Sequence, residues 1–127
     1  MKNEAAIKRE IISKFSGFAA RIENSAGSGM PDILAVKQGL GLLVEVKIGD
    51  PLLRPAQLAW ITRAWTRGEV DVCVISWEFD WRYWQFPFKT SFTGRYHRIV
   101  SEPLLVVQDR AYVLDCIFQV YRSSKQY

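Results

Sequence analysis

The chain has 127 residues, 49% of them apolar and 24% charged, with a formal net charge of +4. This length suits one domain with a hydrophobic core, and no apolar run approaches the roughly 20 residues of a membrane helix. The two cysteines, Cys73 and Cys116, lie far apart in apolar segments, which excludes a disulfide framework or a zinc site and predicts buried thiols in a cytoplasmic protein.

The beginning of the chain predicts a helix followed by a strand. Apolar residues spaced four apart predict a helix over residues 3–15, with Asn3 as its N-cap. Alternating apolar and polar residues predict a strand over residues 18–24. The sequence SAGSG at residues 25–29 predicts a flexible loop.

A hairpin is predicted next. The apolar runs at residues 31–37 and 42–48 are typical of strands, and Gly39 and Gly41 allow a turn between them. Strands that follow each other this closely pair in antiparallel fashion.

The rest of the chain predicts two more helices and a buried strand. Pro55 suits the first turn of a helix, and Gly68 suits its end. The continuous apolar run at residues 70–77 predicts a strand buried on both faces. Residues 110–122 predict a C-terminal helix with Cys116 on its buried face.

An aromatic and basic tract, WEFDWRYWQFPFKTSFTGRYHR, occupies residues 77–98. Aromatic residues at every second position predict a strand over residues 77–83. Three interpretations of the tract compete: an extra sheet packed on the core, a dimer interface, or a surface that stacks on unpaired bases. Packing against protein is favoured, because aromatic residues at this spacing more often face protein than nucleic acid.

The element order, α-β-β-β-α-β followed by the aromatic segment and a last helix, predicts a mixed sheet with helices on its faces. No repeat or linker divides the chain, so residues 1–127 are predicted to form a single domain. Its core would be residues 1–77 with the C-terminal helix, and residues 78–109 would be an aromatic insert.

Three charges interrupt the predicted hairpin. Strand side chains alternate between faces, so Glu45 and Lys47 lie on one face of their strand. Twelve residues separate Asp32 from Glu45, and a turn between them would bring Asp32 beside both charges. Two carboxylates and an ammonium group are therefore expected to meet at one end of a half-buried sheet.

This trio fits a metal-dependent phosphodiesterase. Two carboxylates in a partly desolvated place repel each other unless a cation neutralises them. Mg²⁺ binds one or two carboxylates together with waters and phosphate oxygens, and it lowers the pKa of a bound water. Lys47 would orient that water or stabilise the charge that develops on phosphorus. The structural alternative is an ion pair of Lys47 with Asp32 or Glu45 on a solvated sheet edge.

The same residues resemble a known family. The sequences GMPD at residues 29–32 and EVK at residues 45–47, with Gln57 on the following helix, are similar to the motif of the PD-(D/E)xK nuclease superfamily. The Gly-x-Pro-Asp detail, with Gln57 three residues before Trp60, most resembles its virus-type replication-repair nuclease branch, VRR-NUC. The likeness covers about residues 1–77 and implies a restriction-endonuclease-like α/β fold with a mixed central sheet flanked by helices.

The resemblance implies a role for each matching position. Asp32 and Glu45 would bind Mg²⁺, for which Mn²⁺ is expected to substitute, and the backbone carbonyl of Val46 would add a ligand. Lys47 would be the catalytic lysine. Gln57 would support the site or the substrate phosphate.

A glutamate on the first helix often completes sites of this family, and the sequence offers Glu4 and Glu10. Glu4 is favoured as the metal ligand because it shares a helix face with Ile7 and Ile11. Arg54 departs from the expected pattern, since a small capping residue would be expected before the second helix.

We therefore expect a Mg²⁺-dependent DNA endonuclease that cuts junctions, flaps or forks in replication, recombination or repair, in a bacterial cell or a phage-infected host. A restriction- or homing-type endonuclease and a non-catalytic nucleic-acid-binding protein of the same fold are the alternatives. Four basic residues near the motif would contact phosphates without reading sequence: Lys37, Arg54, Arg63 and Arg67. A homodimer is expected because symmetric cutting needs two sites, and no membrane association is expected.

Overall fold

The computed structural model describes residues 3–22 and 29–125. The loop predicted over residues 25–29 lies outside the described residues except for Gly29, as does the end of the strand predicted over residues 18–24. In chain order, the elements are α1 (Glu4–Lys14), β1 (Phe18–Arg21), β2 (Ile33–Lys37), β3 (Leu40–Ile48), β4 (Leu52–Leu53), α2 (Pro55–Gly68), β5 (Val72–Trp77), β6 (Trp81–Gln85), β7 (Thr90–Phe92), β8 (His97–Ile99), β9 (Leu105–Val107) and α3 (Val113–Ser124).

Within the described ranges, six strands form one mixed sheet in the order β1-β2-β3-β5-β6-β9. The pair β3–β5 is parallel and is connected through α2, whereas the other neighbours in this sheet are antiparallel. The short strands β4, β8 and β7 form a second sheet. The predicted mixed central sheet flanked by helices is confirmed.

Both faces of the main sheet are covered. Helices α1 and α3 pack on one face, where Val44 and Val46 are buried. Helix α2 and the second sheet pack on the other face, where Leu43 is buried. Because side chains alternate along a strand, β3 directs Glu45 and Lys47 to the same face as Leu43, toward α2.

The β2–β3 hairpin has the predicted position and register. Its two-residue turn ends at Gly39, whose φ of 79° is in the left-handed region that such turns require. Ile33 pairs with Val44, so the residue before β2, Asp32, lies opposite Glu45. The two carboxylates therefore meet across the ladder as the sequence predicts.

The aromatic tract does not form the single strand predicted over residues 77–83. Strand β5 ends at Trp77, β6 begins at Trp81, and these two residues pair across a tight hairpin. Phe79 lies in the turn and is 85% exposed. The spacing of aromatic residues at every second position continues through the three-residue turn. This periodicity therefore gives no sign of where the turn lies.

Residues 78–109, the predicted aromatic insert, contribute strands to both sheets. Strands β6 and β9 extend the main sheet, where Trp81 and Tyr83 are fully buried. The indole nitrogen of Trp84 donates to the carbonyl of Ser101, 2.8 Å away. The first half of the aromatic tract thus packs on the core, while β7 and β8 form the more exposed second sheet.

The helices differ from prediction in two details. Helix α2 ends at Gly68, but the residue in the left-handed conformation is Glu69, with a φ of 53°. Helix α3 buries Leu114, and Cys116 is only half-buried because the buried stripe is displaced by one residue toward the C-terminus, to Leu114, Ile117, Phe118 and Tyr121; Cys73 and Cys116 are free thiols. None of the helices in the described part of the chain has the length and apolarity needed to cross a membrane.

Candidate active site

Four residues of the predicted motif meet where the β2–β3 hairpin approaches α2. Asp32 immediately precedes β2, Glu45 and Lys47 lie in β3, and Gln57 lies in the first turn of α2. Glu45 and Gln57 are 4% and 5% exposed, so the centre of this cluster is shielded from solvent.

Gly29 holds the segment before β2 close to α2. Its φ is +95°, and a Cβ at this position would lie 2.2 Å from the carbonyl oxygen of Ala56. Only glycine avoids both the strained backbone and the clash. The glycine of the GMPD sequence therefore brings Asp32 and the N-terminus of α2 to the same place.

Gln57 connects Glu45 and Lys47. Its Nε2 donates to Glu45 Oε2 at 3.0 Å, and its Oε1 accepts from Lys47 Nζ at 2.9 Å and from the backbone N–H of Arg54 at 2.9 Å. Lys47 Nζ also lies 3.6 Å from Glu45 Oε2. The amide of Gln57 thus caps the helix in place of a small residue at position 54 and fixes both charged side chains.

Asp32 is held from two sides. Its Oδ2 accepts from the backbone N–H of Val46 at 2.9 Å, and its Oδ1 accepts from Lys8 Nζ at 2.9 Å. An N–H and a C=O of the same strand residue point to the same side, so the carbonyl of Val46 is directed toward Asp32.

Lys8 is a site residue that the sequence patterns did not single out. It is 9% exposed, although lysine is rarely buried unless it is paired. The signal in the sequence is its place between Ile7 and Ile11 on the apolar face of α1, four residues after Glu4. Only the packing of α1 against the sheet brings its ammonium group to Asp32.

The pKa of Glu45 is raised to about 8. Burial is the largest cause, and the nearby carboxylate of Asp32 adds to it, while Lys47 and Lys8 oppose it only in part. Glu45 therefore holds a proton at neutral pH until a cation offsets the negative charge of the pair.

These donors fit Mg²⁺. The carboxylates of Asp32 and Glu45 and the carbonyl of Val46 are hard oxygen ligands, and a divalent cation would stabilise the ionised form of Glu45, whose pKa is raised. In residues 3–22 and 29–125, no group of three or more His, Cys, Asp or Glu side chains is placed to hold a metal ion. Water and substrate oxygens would complete the coordination, as Mg²⁺ usually requires.

The two glutamates of α1 occupy different surroundings. Glu4 is half-exposed, and its Oε1 lies 3.9 Å from Lys8 Nζ, at the margin of the site. Glu10 forms an ion pair with Arg110 at 2.8 Å. Glu4 is thus the nearer candidate, and its predicted role as a ligand remains a prediction.

No protein-family model matches the chain, and no curated protein matches it. A similar solved structure is the 1.6 Å structure of Hjc, a Holliday junction resolvase from the archaeal hyperthermophile Archaeoglobus fulgidus. The two structures align with a TM-score of 0.53 and 16% identity, over 87% of this chain and 92% of that one. The chain has the restriction-endonuclease-like fold. The likeness to the VRR-NUC branch remains a prediction from the sequence.

In this restriction-endonuclease-like fold, the arrangement of side chains is suited to hydrolysis of a phosphodiester. A bound Mg²⁺ would polarise the phosphate and activate a water molecule. Lys47, fixed by the amide of Gln57, would stabilise the charge that develops on a phosphate bound at this place. Because Gln57 also holds Glu45, the distance between the acid and the lysine is set before any substrate binds.

The structure separates the predicted DNA contacts into two groups. Arg54, Arg63 and Arg67 are exposed: Arg54 immediately precedes α2 at the site, whereas Arg63 and Arg67 lie in the second half of the helix. The structure does not bring Lys37 to the site, because Lys37 ends β2 at the strand terminus opposite to Asp32. Its ammonium group is 2.6 Å from Ser16 Oγ and 3.6 Å from Asp115.

Replacing Lys8 with methionine should tighten Mg²⁺ binding by about three- to tenfold, because the ammonium group and the cation compete for Asp32 Oδ1. Without metal, the variant should lose about 1–3 kcal/mol of stability, since a charge-assisted hydrogen bond to Asp32 is removed. Calorimetric Mg²⁺ titration and thermal melts in EDTA measure the two effects. Lys14→Met, on the exposed side of the same helix, is the control. Unchanged or weaker Mg²⁺ binding in Lys8→Met would contradict the competition.

Proposed function

We propose that the protein is a Mg²⁺-dependent DNA endonuclease that selects its substrate by DNA structure, at junctions, flaps or forks. The observation that carries this proposal is the buried Glu45 opposite Asp32, with Lys47 held beside it by Gln57. Structural ion pairs rarely need a carboxyl group whose pKa is raised by burial and by a second carboxylate, as that of Glu45 is. A metal that binds both oxygens and a phosphate would remove that conflict.

DNA is the favoured substrate because of the charge around the site. Helix α2 starts at the site and carries Arg63 and Arg67 but no acidic residue. Arginine binds phosphate oxygens well, so a polyanionic strand can follow this helix. The formal net charge of +4 agrees with such a partner.

Selection by structure is favoured over selection by sequence. None of these arginines lies on an element arranged to enter a groove and read base edges, and contacts with phosphates carry no sequence information. The similar structure of Hjc belongs to a Holliday junction resolvase, which makes branched DNA the substrate class to test first. A homodimer is part of the proposal, because paired incisions across a junction require two active sites.

On a panel of one sequence built as four-way junction, flap, fork and linear duplex, we expect Mg²⁺-dependent cleavage of the branched forms in preference to the duplex. The DNA affinity should fall as the salt concentration rises. For each phosphate contact, a tenfold increase in salt should lower the logarithm of the binding constant by about 0.9. Gel assays with Mg²⁺, Mn²⁺ and EDTA measure cleavage, and anisotropy measures the salt dependence. Efficient cutting of one short sequence in linear duplex would favour the restriction-type alternative. Binding without cleavage of any member would favour the non-catalytic one.

A further inference from the structure

A groove runs between α2 and the β7–β8 hairpin. Its lining consists of Pro55, Leu58, Ala59, Thr62, Arg63 and His97. Its position is tied to the active site, because β4 lies in the chain between Lys47 and Gln57, and β4 pairs with β8. Within that pairing, Leu53 is opposite His97, and Pro55 and Leu58 of the lining lie on either side of Gln57 in the first turn of α2.

The groove has Arg63 in its lining and lies between two segments of basic sequence. Residues 51–68 contain three arginines, and residues 89–99 contain Lys89, Arg95 and Arg98; neither segment contains Asp or Glu. The nearest acid on the connection before β4, Asp50, is held by Arg98 at 3.0 Å on the other face of β8. This distribution complements a polyanion and not a mixed protein surface.

An exposed aromatic ring lies against His97 of the groove. Phe92 is 58% exposed, and its ring centroid lies 4.8 Å from that of His97. Phe92 and His97 are opposite each other in the β7–β8 ladder, so the two rings form one platform. On the same hairpin, the guanidinium of Arg95 lies 5.9 Å from the ring of Tyr96. Exposed rings among arginines are the usual means of binding single-stranded nucleic acid.

We propose that this groove binds a single-stranded segment of DNA, with Phe92 and His97 stacking on an unpaired base and Arg63 contacting a phosphate. The proposal rests on the proposed nuclease function and names its substrate class: branched DNA with an unpaired strand next to the cleaved bond. The exposed second half of the aromatic tract thus has a different role from its buried first half.

The test measures binding in EDTA, so that cleavage is not required. Fluorescence anisotropy compares a labelled 12-nucleotide single strand, a fork with one unpaired arm and a blunt duplex. Phe92→Ala should weaken binding of the single strand and the fork by about 5- to 100-fold and change duplex binding by less than about twofold. Phe18→Ala is the matched control, since Phe18 is 63% exposed at the sheet end away from the site. Phe92→Trp retains a stacking ring and should restore binding even if the alanine variant folds poorly.

Arg63 provides a second arm. Arg63→Gln should weaken binding of all three DNAs, whereas Arg122→Gln, on α3 across the sheet, should not. Single-strand affinity equal in Phe92→Ala and Phe18→Ala would overturn the proposal. A change from dimer to monomer in Phe92→Ala by light scattering, with DNA affinity retained, would assign the platform to a dimer interface instead. Loss of cleavage with intact single-strand binding would count against the nuclease function only.

Discussion

Asp32→Ala, Glu45→Ala and Lys47→Ala are each expected to lower the cleavage rate by at least about 10²–10³-fold while leaving the fold intact. In the proposed function, Asp32 and Glu45 would supply the oxygen ligands, and without either the metal would lose half of its charged protein donors. Lys47, which Gln57 holds beside Glu45, would supply the cation next to the phosphate. Single-turnover cleavage of the preferred branched DNA, measured at saturating Mg²⁺, tests the chemical step.

A lysine far from the site serves as the control. Lys125→Ala also removes an ion-paired lysine, since Lys125 Nζ lies 2.7 Å from Asp71 at the opposite end of the sheet. It should retain near wild-type cleavage. Circular dichroism of each variant confirms that the fold is kept. A fully active Glu45→Ala protein would refute the assignment of the site.

Glu45→Gln is expected to stabilise the metal-free protein at pH 8 to 9 and to leave its stability unchanged at pH 5. The ordinary pKa of this carboxyl is 4.5, and in the folded protein it is about 8. Between these values the folded state binds more protons than the unfolded state, so stability falls as the pH rises through this window. Glutamine keeps the shape of the protonated acid but cannot ionise. The stability of Glu45→Gln therefore does not fall as the pH rises through this window.

The full shift corresponds to an upper bound of about 5 kcal/mol, at about 1.4 kcal/mol for each pH unit. Because the site relaxes around the charge, we expect a gain of about 2 kcal/mol, or roughly 6 °C in Tm. Thermal melts in EDTA at pH 5 and pH 8.5 measure it, with the exposed Glu78→Gln as control. Mg²⁺ at pH 8.5 should raise the Tm of the wild type more than that of Glu45→Gln. A Glu45→Gln protein that is less stable than the wild type at pH 8.5 would contradict this account.

Much of the site follows from local sequence. A turn that ends at Gly39, with apolar residues on both sides, determines the register of the hairpin. That register places Asp32 opposite Glu45, and strand alternation places Lys47 beside Glu45. Pro55 starts the helix that carries Gln57. Each of these relations spans few residues, so backbone geometry alone is enough to predict it.

Other features depend on packing between distant segments. Lys8 reaches Asp32 across 24 residues, and no periodicity in α1 shows which group on the sheet its ammonium will meet. The pKa of Glu45 depends on burial beneath α2, which is a property of the packed layers and not of the strand. The residues that meet at the site could therefore be predicted from the sequence. The contact of Lys8 with Asp32 and the raised pKa of Glu45 required the tertiary structure.

In the second half of the chain, too, some elements could be predicted from local sequence and others could not. The buried strand over residues 70–77 was predictable because an apolar run suits both faces of a covered sheet. The second sheet was not, since its strands have only two or three residues, too few for a periodic signal, and β4 pairs with β8 across more than 40 residues. The sequence by itself determined the hairpin, the motif and the presence of helices on the faces of the central sheet. Only the tertiary structure decided that His97, with Phe92 against it, lines a groove along α2, because long-range pairing is selected by packing and leaves little trace in local sequence.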